Sequence, residues 1–140
     1  MLLSQKTHSY HISQIWEIIP DIQWPALVYL YGEVWAGKTT FVSHFLAKNV
    51  HIAPEGVTSP TYVYYNRYDS VIHFDLYRLE NYDTFISIWG EEIIEQNTGI
   101  VFIEWPEILE PYIIPDIKIF FSHSQEEENM RNVTIEYYKV

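Results

Sequence analysis

The sequence predicts an α/β fold, a mixed β-sheet with flanking helices, and three observations carry that reading. Two continuous apolar runs, residues 26–31 and 100–103, have the length and unbroken hydrophobicity of strands buried on both faces. Between them Phe41, Val42, Phe45 and Leu46 recur at helical spacing. Joining the first run to that helix is Gly32 Glu33 Val34 Trp35 Ala36 Gly37 Lys38 Thr39, which fits the spacing G-x-x-x-x-G-K-S/T of a phosphate-binding loop.

Each element can be placed in chain order. Residues 10–19 carry Ile12, Ile15, Trp16 and Ile19 at spacings of three and four, which predicts a short amphipathic helix closed by Pro20. The buried strand 26–31 follows, then the loop, then a helix over residues 39–48 with Asn49 at its C-cap. Pro54, Gly56 and Pro60 mark a loop, after which residues 61–65 and 71–76 read as a hairpin around 66–70. Asp83 is placed to cap a helix through Trp89 that Gly90 breaks, and residues 91–96 give another short turn. The strand 100–103 ends on Glu104. Pro106, Pro111 and Pro115 then make an irregular connection to a final hairpin, 116–121 with 133–138, whose turn holds the solvated run Glu126, Glu127, Glu128.

At 140 residues and 48% apolar content the chain is expected to form one domain, residues 1–140, around one core. With no cysteine, neither a disulfide frame nor a thiolate metal site is possible, which fits a reducing compartment, and the cytoplasm is the expected location. No stretch approaches the ~20 apolar residues that span a bilayer, so no membrane association is expected. A formal charge of −11 repels nucleic-acid phosphates and gives little counterion-release affinity, so direct tRNA or DNA binding is not expected. The acidic surface serves either solubility or a basic protein partner.

The loop is the chemical centre of the chain. Its backbone N–H groups and the first helical turn make a concave cluster of positive dipole ends that a polyphosphate fills, so a nucleotide triphosphate is the expected ligand. Gly32, Glu33, Val34, Trp35, Ala36, Gly37, Lys38, Thr39 and Thr40 line that cradle, with Lys38 supplying charge near the β and γ phosphates and Thr39 a hydroxyl for Mg²⁺. Such a site also needs an acid at the C-terminal end of a buried strand. Two residues qualify: Asp75, after Val71, Ile72 and Phe74, and Glu104, after the run 100–103. Both reach the cradle if their strands neighbour the first one in parallel.

Other candidates carry weaker signals. Ser59, Pro60 and Thr61 fit either a switch loop reaching the γ-phosphate or a plain entry into a strand. His73, inside an apolar strand, reads as a core histidine rather than a proton shuttle. His8 and His11 lack further metal ligands nearby. Trp105 and the tyrosines 62, 64, 65 and 68 read as packing before stacking on a base or a partner.

Taken together, residues 30–40, Ser59 to Tyr62, the run His73 Phe74 Asp75 Leu76 Tyr77 Arg78 Leu79, and Glu104 Trp105 Pro106 resemble the bacterial TsaE family, also called YjeE, the ATPases of tRNA threonylcarbamoyladenosine biosynthesis. The resemblance spans about residues 26–107, and Arg131 before the last strand suits it. It implies a P-loop NTPase-like fold and a Mg²⁺-dependent ATPase subunit working with TsaD-like and TsaB-like proteins. Their target would be the adenosine beside the anticodon in tRNAs reading codons that begin with A, and the partners would hold the tRNA. By the same resemblance Lys38 binds phosphates, Thr39 and Glu104 ligate Mg²⁺, and Asp75 assists hydrolysis or the metal shell. Thr61 and Trp105 would belong to mobile loops around the nucleotide.

One position departs from the family pattern: Trp35 stands where a mid-loop glycine is usual. If that position needs positive φ, the bulky side chain costs roughly 1–2 kcal/mol. Trp35→Gly is then expected to tighten ATP binding in titration calorimetry, and equal or weaker affinity would reject the strain argument. The family's N-terminal segment near the base is also poorly matched by residues 7–11. Two other readings of the loop stand beside the ATPase. One is a nucleotide-dependent binding module with negligible turnover. The other is a small-molecule kinase, for which Arg67, Arg78 and Arg131 are few and the chain leaves little length for a lid.

Overall fold

A computed structural model describes residues 1–33, 36–53 and 64–138. Its strands are β1 (Ser4–His11), β2 (Ala26–Tyr31), β3 (Tyr65–Tyr68), β4 (Val71–Asp75), β5 (Ile100–Glu104), β6 (Ile117–His123) and β7 (Met130–Tyr137), and its α-helices are α1 (Lys38–Asn49), α2 (Tyr82–Ser87) and α3 (Gly90–Gln96). The strands form one mixed sheet in the order β1-β7-β6-β2-β5-β4-β3. Its centre is parallel: β2 lies between β5 and β6, and β4 runs beside β5 in the same direction. Antiparallel strands close both flanks, β7 and β1 on one side and β3 on the other.

Strand parity sorts the core into two layers. Ala26, Val28, Leu30, Ile100, Phe102, Ile117 and Ile119 face α1, where Phe41, Val42, Phe45 and Leu46 are buried against them. Leu27, Tyr29, Ile72, Phe74, Val101 and Ile103 face the other way, onto Phe85 of α2 and Leu109. The Phe102 ring anchors α1, meeting Phe41 at 6.0 Å and Phe45 at 5.0 Å between centroids, both edge to face. Each such aromatic contributes roughly 1.5–3 kcal/mol by burial, which fixes how far the head of α1 stands from the end of β5.

Several local expectations are corrected. Residues 10–19 are not an α-helix: Tyr10 and His11 complete β1, and Ile12–Ile18 is a 3₁₀ segment broken at Gln14. Of the supposed apolar stripe only Ile15 and Ile19 are buried, while Trp16 is 61% exposed. Asn49 is the last residue of α1 rather than its cap, donating its Nδ2 to the Phe45 carbonyl at 3.1 Å while Val50 caps. Residues 66–68, read as hairpin turn, belong to β3, and only Asp69 and Ser70 turn the chain. The earlier part of that expected strand, 61–63, lies outside the described residues. Asn81, not Asp83, caps α2, its side chain accepting from Thr84 N at 3.0 Å. Gly90 begins α3 instead of merely ending α2. Among the described residues no helix is long and apolar enough to cross a membrane.

Candidate functional site

The C-terminal ends of β2, β5 and β4 lie side by side, with Leu30 opposite Glu104 and Glu104 opposite Asp75. Parity puts Asp75 and Glu104 on the α1 face, since each follows by two residues a side chain of that layer or its neighbour. The condition for the two acids to converge on the loop, neighbouring parallel strands, is therefore met.

Gly32 leaves β2 at φ +144°, and a Cβ there would stand 2.7 Å from the carbonyl oxygen of Phe121. Gly37, at φ +121°, delivers the chain into α1 with no side-chain cap. The first bond of the helix ladder runs from Phe41 N to Gly37 O at 2.8 Å, so the N–H groups of Lys38, Thr39 and Thr40 have no acceptor within the helix. No acidic residue occupies that first turn. An uncapped helix head of this kind suits an anion. Ahead of it Ala36 N donates to Glu33 O at 3.1 Å, tightening the loop.

Lys38 is 5% exposed, its Nζ donating to the Gly32 carbonyl and lying 3.7 Å from the centre of the Trp105 ring. Burial pushes its pKa below the ordinary lysine value, while the charges of Glu104, Asp75 and Glu107 pull it back up. Thr39 Oγ1 donates to Glu104 Oε2 at 2.9 Å, joining the helix head to the strand end. Glu104 is buried, and His73 Nε2 lies 2.5 Å from the same oxygen. Asp75 is half-buried and accepts from Tyr77 N at 3.0 Å, a bond that turns the chain at the end of β4. Trp105 follows Glu104 in a left-handed conformation, φ +56°, and its ring packs on both Lys38 and Tyr77. That conformation carries backbone strain of roughly 1–3 kcal/mol for a non-glycine residue, held by packing.

Of the residues singled out from sequence, Gly32, Gly37, Lys38, Thr39, Asp75, Glu104 and Trp105 gather here. Glu33 and Thr40 lie exposed at its rim and Ala36 is buried beneath it. Val34, Trp35 and Thr61, with Ser59, Pro60 and Tyr62, lie outside the described residues. His73 is a buried histidine, as its place in an apolar strand suggested; its Nε2 is hydrogen-bonded to the strand-end acid, and its Nδ1 has no partner among the described residues. Strand parity carried that signal, since His73 shares a face with Asp75 two residues on.

The described residues hold no group of three His, Asp or Glu side chains able to take a metal. Thr39 with Glu104, and Asp75 beside them, instead offer a few oxygens on one side, which fits Mg²⁺ shared with a polyphosphate rather than caged by protein.

Comparison with known proteins shows the family. Residues 5–133 match the family model described as threonylcarbamoyl adenosine biosynthesis protein TsaE. A tRNA threonylcarbamoyladenosine biosynthesis protein TsaE of Aquifex aeolicus is 34% identical over 141 residues, covering 96% of this chain and 93% of its own. The protein of the same name from Borreliella burgdorferi is 38% identical over 95 residues, 65% of this chain and 66% of its own. The crystal structure of Bacillus subtilis YdiB superposes with a TM-score of 0.64 over 98% of this chain and 87% of that one, at 19% identity, which speaks to the fold. With its family pattern running from β1 into β7, the chain belongs to the TsaE family.

Proposed function

We propose that this chain is the Mg²⁺-dependent ATP-hydrolysing subunit of tRNA threonylcarbamoyladenosine biosynthesis, acting with TsaD-like and TsaB-like proteins on the adenosine beside the anticodon. The observation that carries the reading is the bond from Thr39 Oγ1 to Glu104 Oε2, 2.9 Å, at the head of an uncapped helix. Donating its proton to Glu104 turns the remaining lone pairs of Thr39 away from that carboxylate, leaving them for a metal. Lys38, now resting on Gly32 O and the Trp105 face, has the reach and charge to move onto β and γ phosphate oxygens. Trp105 shields that charge from water, and Asp75 stands in register with Glu104 to hold waters of the metal shell. Thr39 and Glu104 would hold a magnesium ion, which would supply positive charge to offset that of the phosphates.

Phosphate release from ATP, measured for the purified chain alone and with the partner proteins, tests the proposal. Lys38→Ala is expected to lose nucleotide binding, and Glu104→Ala to lose Mg²⁺-dependent turnover by at least about tenfold while retaining metal-free nucleotide binding. Full turnover in the Glu104 variant would move the metal role to Asp75. Nucleotide binding with negligible turnover in every mixture would favour the binding module, and ADP formation dependent on a small substrate would favour a kinase.

A further inference from the structure

We propose that His73 is a positioning residue for Glu104, holding its carboxylate through an Nε2–H···Oε2 bond so that Thr39 and Glu104 meet the metal as one unit; this rests on the magnesium reading above. His73 is fully buried on β4 and Glu104 is 3% exposed on β5. Phe102 stands opposite His73, and Glu104 opposite Asp75, so the imidazole reaches Glu104 along the diagonal of one sheet face. Their contact, 2.5 Å, is made to the oxygen that also accepts from Thr39.

An ionised carboxylate only accepts, so the imidazole carries its proton on Nε2 and donates. Its other nitrogen, Nδ1, is buried with no partner among the described residues. Among the described residues the ring's polar contact is thus directed at Glu104. Val71, two residues earlier on the same face, shows that this layer readily takes an aliphatic residue. Histidine at 73 therefore supplies what an aliphatic residue there could not, a donor to the strand-end acid. Partners that orient a metal ligand from behind behave this way, and their loss commonly weakens metal affinity 10–100-fold.

The test is calorimetric. ADP binding is titrated with and without Mg²⁺ for wild type, His73→Leu and His73→Gln, whose amide nitrogen can occupy the Nε2 position. His73→Leu is expected to lose about tenfold of the Mg²⁺ enhancement with metal-free ADP affinity unchanged, and to need about tenfold more Mg²⁺ for half-maximal hydrolysis. His73→Gln is expected to recover both. In a Glu104→Gln background His73→Leu should change the Mg²⁺ response no further. Should the leucine variant fail to fold, His73→Asn, whose amide reaches only as far as Nδ1, replaces it. An unaltered Mg²⁺ response in His73→Leu, or equal losses in the leucine and glutamine variants, overturns the assignment and leaves the ATPase reading intact. A wild type whose ADP binding ignores Mg²⁺ overturns the metal reading first and this inference with it.

Discussion

Tyr10 shows what a single buried polar atom costs near the loop. Its side chain is 5% exposed, its hydroxyl has no partner among the described residues, and that hydroxyl lies 3.1 Å from where a Cβ on Gly37 would stand. Burial raises its pKa to about 12, with Arg131 opposing. A raised value means the folded state keeps its proton while unfolded tyrosine, near 10, has lost it, so stability falls as pH climbs from 10 towards 12. Tyr10→Phe is expected to be neutral or stabilising by up to about 1 kcal/mol at pH 7, because an unsatisfied hydroxyl is removed. It should also remove part of the alkaline loss between pH 10 and 12. Urea unfolding at pH 7, 10 and 11.5 checks both; destabilisation above 1 kcal/mol at pH 7 would mean that the hydroxyl does make a bond. Lys38 is the opposite case, a buried cation whose pKa burial lowers, offset in part by the charges of Glu104, Asp75 and Glu107.

Among the elements, those that position the site were legible and those around it less so, for physical reasons. β2 and β5 are buried on every residue but one, so unbroken apolar runs announced them, and the strand-end rule then named Glu104 and Asp75. β1 carries no such pattern, because six of its eight residues are exposed at the sheet's edge and hydrogen bonding to β7 alone defines it. Its lack of alternation left Ile12, Ile15 and Trp16 to suggest a helix that the 3₁₀ geometry replaces. His73 was visible only as a residue; its bond to Glu104 needed the pairing of β4 with β5.

The junction of α2 and α3 gives an element-level test. Trp89 turns left-handed at φ +66°, and Gly90 then starts α3 against Phe85, whose ring would stand 2.4 Å from an added Cβ. Phe85 is fully buried and the chief side chain that α2 sends into the second core layer. Gly90→Ala is expected to cost about 1–3 kcal/mol by displacing that ring, though alanine favours helices elsewhere. Chemical denaturation measures it. A neutral or stabilising result would show that α2 shifts without penalty, and that its packing does not fix the β4 end carrying Asp75.

Over the whole molecule, net charge favours a small anion held at contact distance over a long polyanion met through the general field. Nineteen acidic residues stand against eight lysines and arginines, and part of that small cationic set is already engaged. Lys38 is buried in the cradle, Lys118 lies over the rings of Tyr31 and Tyr138, and Arg131 bonds the carbonyls of Glu128 and Met130. For the polyphosphate of the proposed function, oriented N–H groups and one lysine would act at contact distance, where the general field is weak by comparison. A tRNA has no such local cradle and meets the field over its whole backbone. The chain alone is therefore expected to give no mobility shift with tRNA at about 50 mM salt and micromolar protein, where a basic binder would hold tightly. Binding by the chain alone that weakens steeply as salt rises would show a cationic track on its surface, and tRNA contact would then belong to this subunit and not to its partners.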